Sequence, residues 1–161
     1  MSGSPHPQYE FVVLKSSDAD LVLNLERQKL AEGNVESMEI ELLSWHAPWR
    51  RESLDHYLPM GWSFGAWSAE GELAAYFLAQ PLLFFRQMTQ SLWVEHLTFP
   101  KDSPELGEQL IDLAYRLSRE KHLQKLLLAP SADLQTLGGR LDAWRPSPVD
   151  EGIVEIKTAK L

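Results

Sequence analysis

The chain has 161 residues, 44% of them hydrophobic and six of them Trp, which is enough for one substantial core and short for two. Fifteen basic against 23 acidic residues give a net charge of -8, and no basic run is longer than the pair Arg50-Arg51; a nucleic-acid backbone needs a concentrated basic face, so that partner is excluded. There is no cysteine, and the five His, at 6, 46, 56, 96 and 122, have no ligand spacing, which argues against a disulfide framework, a thiolate nucleophile and a zinc site.

The N-terminus "MSGSPHPQ" has no apolar h-region, and no apolar stretch reaches the roughly 20 residues of a membrane span, so the reading is a cytoplasmic protein without membrane association. Residues 1–8 are expected to be a mobile tail and 9–161 a single domain. "YEFVVLK", Tyr9 to Lys15, reads as a first strand. Ser17 with Asp20 three residues on resembles a capping box for a helix that stops at Gly33. "VESMEIELLSW" reads as a second helix, which "PWRRESLDHYL" restarts with Pro48 at a first helical position, so that two helices precede the main sheet.

From Trp62 the pattern turns to strand. "WSFGAWS", "LAAYFLAQPLLFF" and "SLWVEHLTF", separated by "AEGE" and "RQMTQ", predict an antiparallel meander; Pro81 inside the second run requires a bend, a bulge or an exposed edge there. Leu106, Leu110, Leu113, Ala114 and Leu117 then fall on one face of a helix from Pro104 to about Lys121, and "LQKLLLAP" follows as a buried strand. Strand, four-turn helix and strand make a βαβ unit whose strands run parallel. "SADLQTLGGRLDAW" predicts a shorter helix broken near Gly138-Gly139, and "GIVEIKTAKL" a last strand.

The order β-α-α-β-β-β-α-β-α-β, with "VEHLTFPKD…LGEQLIDLAYRLSREKH" as its densest part, resembles the GNAT N-acetyltransferase family over nearly the whole chain from Tyr9 to Leu161. The resemblance implies an α/β fold of mixed type: a mostly antiparallel sheet with a parallel βαβ core and flanking helices. It implies acetyl-CoA as acyl donor, lying where the fourth and fifth strands splay, its pantetheine arm on the backbone of Leu97, Thr98 and Phe99. Its pyrophosphate would sit on the turn Ser103, Glu105, Leu106 and Gly107, where free N–H groups and the helix dipole favour an anion. Only Gly107 survives of the family's glycine-rich loop signature. Ser103 as N-cap, Pro104 at the first position and Glu105 in the first turn equally describe a self-capped helix that needs no anion.

The resemblance also places the base, which takes the ammonium proton of the acceptor, at Glu95 or the adjacent His96. Strict alternation sends these two to opposite faces unless a bulge intervenes, and a solvated Glu beside a packed His would be the bland account. The family's Tyr on the helix after the fifth strand, which protonates the leaving thiolate, is replaced by Gly138, and no Tyr follows Tyr115. Trp45, Trp49 and Tyr57, with Trp62 nearby among Glu39, Glu41, Glu52 and Asp55, could form a pocket for a cationic amine or could be core packing with a solvated helix face. The expected activity is acetyl-CoA-dependent N-acetylation of a primary amine, on a small molecule or peptide, by direct transfer. The alternative is a degenerate domain of the same fold that binds a ligand or protein partner; a homodimer is compatible with either.

Overall fold

The computed structural model describes residues 8–82 and 90–158. The expected mobile tail and the "RQMTQ" turn lie largely outside these residues. Seven strands form one sheet in the order β1-β2-β3-β4-β5-β7-β6. These are β1 (Glu10–Val13), β2 (Phe64–Trp67), β3 (Leu73–Leu82), β4 (Ser91–Thr98), β5 (Lys125–Leu128), β6 (Ser147–Pro148) and β7 (Val154–Lys157). Every neighbouring pair is antiparallel except β4 and β5, which are parallel and joined by helix α4 (Pro104–Glu120).

Each face of the sheet has its own core. On one, α4 presents Leu106, Leu110, Ile111 and Ala114, and α5 (Ala132–Leu137) presents Leu134 and Leu137, to Phe77, Ala79, Leu92, Val94, Leu97 and Phe99. These positions repeat at the three- and four-residue spacing that keeps side chains on one stripe of a helix. On the other face, α1 (Ala19–Glu32) and α3 (Arg51–Tyr57) pack Val22, Leu23, Leu54 and Tyr57 against Leu14, Tyr76 and Leu78. Helix α2 (Ser37–Ser44) buries only Ser44. Fully burying one such Leu or Phe contributes on the order of 2 kcal/mol, so the two cores hold the sheet rigidly between helices.

Three details differ from the sequence reading. Three helices, not two, precede the main sheet, and α3 begins at Arg51 because Pro48 sits in a turn closed by Arg50 N–H to Ala47 C=O; proline suits the second position of such a turn as well as it suits a first helical turn. The reciprocal cap ahead of α1 is made by Asp18, which accepts from Lys15 N–H at 2.9 Å, rather than by Ser17 and Asp20. The short strand β6 is unanticipated, because Ser147 and Pro148 carry no strand pattern.

Pro81 is accommodated inside β3. Ala79 N–H, two residues earlier, points away from β4 to the Ser63 hydroxyl, so the main-chain nitrogen of Pro81 faces the same way, where β2 has already ended opposite Phe77. The missing donor therefore falls on an edge that has no neighbouring strand among the described residues.

Candidate functional site

Strand β4 contains one residue more than its partner. Val94 pairs with Ala79 and His96 with Leu78, which leaves Glu95 unpaired between them. Such a bulge breaks the two-residue alternation. Leu92 and Val94 before it, and Leu97 and Phe99 after it, thus all face the α4 core. Trp93, Glu95, His96 and Thr98 face the α1–α3 side, so both candidate bases lie on one face.

The bulge coincides with the parting of β4 from β5. Their ladder runs from Ser91↔Lys125 to Val94↔Leu128, with a last bond from Ala129 N–H to Val94 C=O. Beyond it the chains separate, β4 toward α4 and β5 toward α5. Glu95 is therefore the first residue of β4 past the fork.

Two donors converge on one oxygen of Glu95: Trp93 Nε1–H at 2.6 Å and Tyr57 O–H at 3.2 Å from Oε2. Burial pushes the Tyr57 phenol up to about 12, with the negative charge of Glu95 and the bond to it acting in the same direction, so Tyr57 remains a donor across the neutral range. His96 Nε2 lies 3.3 Å from Glu26 Oε1 and 2.9 Å from Thr98 Oγ1, and Tyr76 donates to the same Glu26 oxygen at 3.0 Å. Burial alone would raise the Glu26 carboxyl. The hydrogen bond and positive charge of His96, with help from Thr98 and Lys29, outweigh it and hold Glu26 below the ordinary glutamate range. Burial and the adjacent Glu26 carboxylate push the wholly buried Tyr76 phenol well above its ordinary value.

Past the fork, Leu97, Thr98 and Phe99 are buried. The main chain of Phe99 is met by side chains instead of a strand: its N–H donates to Asp133 Oδ2 at 3.2 Å, and its C=O accepts from Lys29 Nζ at 3.2 Å. An extended chain of amides requires the same complement, so this end of β4 fits a pantetheine arm in hydrogen-bonding character.

The turn into α4 departs from a self-capped start. Ser103 stands at the N-cap with φ -129° and ψ 60°, and its hydroxyl makes no capping bond; instead its N–H reaches Pro100 C=O and its C=O accepts from Leu106 N–H, each at 3.0 Å. Asp102 and Glu105 are exposed. Leu106 is in the core, and so is Gly107: a Cβ there would come within 2.7 Å of the Phe99 ring, so this glycine lets α4 approach β4 closely.

The expected amine pocket is dispersed. Tyr57 reaches Glu95, Trp49 is buried in the α1–α3 core, Trp62 packs on the opposite core, and Trp45 is 61% exposed beyond α2. Of the pair Arg50-Arg51, Arg51 bonds to Asp20 and Arg50 to Ala47 C=O. Among the described residues no cluster could hold a metal ion, and no helix is long and apolar enough to cross a membrane.

Glu26, Lys29, Trp93 and Asp133 also belong to the site, without standing out in the sequence as candidates. Glu26 had a signal, since it continues the buried stripe Ala19, Val22, Leu23 of α1, where a charged residue needs a partner. The other three are ordinary in the sequence and acquire meaning only through the fork.

No family model and no curated protein matches the sequence. Solved structures do. A PaiA N-acetyltransferase from Thermoplasma acidophilum in complex with coenzyme A superposes with a TM-score of 0.66 at 14% identity, over 93% of this chain and 99% of that one. The ribosomal-protein-S18-alanine N-acetyltransferase of Escherichia coli gives 0.62 at 13% identity, over 96% of each chain. A GNAT family N-acetyltransferase of Escherichia coli in complex with CoA gives 0.60 at 17% identity, over 99% of this chain and 86% of that one. With a parallel β4–β5 pair that forks beside a bulge and a helix returning between them, this chain has the fold of the GNAT N-acetyltransferases.

Proposed function

We propose that the protein is an acetyl-CoA-dependent N-acetyltransferase acting on a primary amine of a small molecule or peptide by direct transfer. The observation that carries the reading is the coincidence of two features: the bulge at Glu95 and the end of the β4–β5 ladder at Val94↔Leu128. In this reading an extended donor lies along β4 past the fork, and the bulge sets a carboxylate beside it.

Acetyl-CoA supplies the activated thioester when bound. The main chain of Leu97 to Phe99 holds its pantetheine arm, and the turn from Ser103 to Gly107 lies toward its pyrophosphate, with the main chain rather than the side chains as the contact. Glu95 is the base. Its Oε2 is fixed by Trp93 and Tyr57, which aim the carboxylate without neutralising it, so it can take a proton from an acceptor ammonium directly or through one water. His96 is committed to Glu26 and Thr98 and orients the strand beside it. Gly138 ends α5 where relatives carry a Tyr, so the leaving sulfur takes its proton from water or from the Tyr57–Glu95 pair.

A second reading has an observation of its own. The N–H and C=O of Phe99 already have partners in Asp133 and Lys29, as expected of a domain that kept the fold and binds another ligand or a protein. Calorimetric titration with acetyl-CoA, followed by thiol release with a panel of small amines and peptides, separates the two. Micromolar binding and amine-dependent thiol release support the transferase; absence of binding at millimolar acetyl-CoA leaves only the binding domain.

A further inference from the structure

Lys29 Nζ and Asp133 Oδ2 lie 2.9 Å apart, with side chains 23% and 18% exposed. They come from opposite faces of the sheet, since α1 packs on the Tyr76 and Leu78 side and α5 on the Phe77 and Val94 side. They can meet only because β4 and β5 have separated; the ion pair passes through the fork. Each partner also takes one main-chain group of Phe99. The carboxylate oxygen accepts from its N–H as an amide carbonyl would, and the ammonium donates to its C=O as an amide N–H would. Together they present one residue of β4 with the donor and acceptor that an added extended chain presents.

We propose that Lys29 and Asp133 form a displaceable plug in the fork, imitating one amide of an extended chain on Phe99, and that an acyl-CoA enters by lifting both side chains off that main chain. The proposal rests on the acetyl-CoA reading above. Room exists for the movement: a cavity of about 540 Å³ opens beside Lys29, between Gln28, Glu32 and the loop from Pro100 to Asp102. The plug sets donor affinity below what the open strand would offer, because charge-assisted bonds must be exchanged for neutral ones. It also links the donor to α1, where Lys29 lies one turn from Glu26 and its bond to His96.

The test is calorimetric titration of the wild type, Asp133→Ala and Lys29→Ala with CoA, together with hydrogen exchange at the Phe99 amide. Asp133→Ala is expected to bind CoA about ten-fold tighter, the exchange of one charge-assisted bond for a neutral one. Its Phe99 amide is expected to exchange faster without ligand and to regain protection with CoA. Lys29→Ala, which leaves the first turn of α5 untouched, must move affinity in the same direction and carries the test if Asp133→Ala does not fold. Wild-type binding with no gain in either variant overturns the plug and leaves the transferase standing. No binding by the wild type or by either variant at millimolar CoA overturns both.

Discussion

Replacing Gly107 by Ala places one methyl group in the tightest contact between α4 and β4. The added Cβ would lie 2.7 Å from Phe99 Cε1, 2.8 Å from Cδ1 and 3.0 Å from Cζ, against a ring that is 1% exposed. Carbon atoms prefer about 3.5–4.0 Å, so ring or helix must give way by nearly 1 Å. Overpacking of this kind costs about 1–3 kcal/mol, while the better helix propensity of Ala returns up to about 1 kcal/mol. The expected net loss is about 1–2 kcal/mol, or roughly 2–8 °C in Tm for a chain of this size. Urea unfolding followed by Trp fluorescence measures it directly. Phe99→Leu removes the clashing ring, so the double variant should cost at least about 1 kcal/mol less than the sum of the singles. Wild-type stability in Gly107→Ala, or strict additivity in the cycle, would refute the packing account.

Glu95→Gln keeps an acceptor for Trp93 and Tyr57 but cannot take a proton; kcat should fall by about 10²–10⁴-fold with CoA affinity unchanged, and full-rate turnover would remove Glu95 as base. The Tyr57 phenol is raised to about 12 in the folded state, so its contribution to stability is complete below its unfolded value of about 10 and is lost as pH climbs from there to about 12. Tyr57→Phe should therefore flatten the alkaline limb of a pH–stability curve, with Tyr76 accounting for what remains; an unchanged limb would contradict the placement of Tyr57 beside Glu95. Glu26 is lowered, so its contribution is complete above its unfolded value of about 4.3 and is lost as pH falls through the folded value. Glu26→Gln should lessen the acid sensitivity of unfolding below that pH, and identical acid limbs would show that Glu26 and His96 are not paired.

The legibility of this protein divides along the range of the interactions. Helix α4 could be read because Leu106, Leu110 and Ala114 repeat at helical spacing, and the parallel β4–β5 pair followed from the length of the crossover between two apolar strands. Pro48 misled because a turn and a helix start make the same demand on its φ. At the site, Glu95 and His96 stand out as the polar residues near the end of an apolar strand, but no pattern within β4 tells that β3 lacks a residue opposite Glu95. Sequence can signal a side chain through its neighbours in the chain; the Trp93 and Tyr57 bonds to Glu95 span 2 and 38 residues, and Lys29 meets Asp133 across 104. Gly107 shows the reverse: its position was legible, but its role depends on the Phe99 ring lying against it.

The unpaired residue in β4 separates two constraints that a site residue usually carries together. Deleting position 95 would restore simple alternation with Leu97 and Phe99 still in the α4 core and His96 and Thr98 still on the other face, so the packing of the distal half of β4 does not require the extra residue. The side chain at that position packs in neither core, so the chemistry it offers is free to change. Descent with this fold can thus exchange the base, dull it or abolish it without repacking either core.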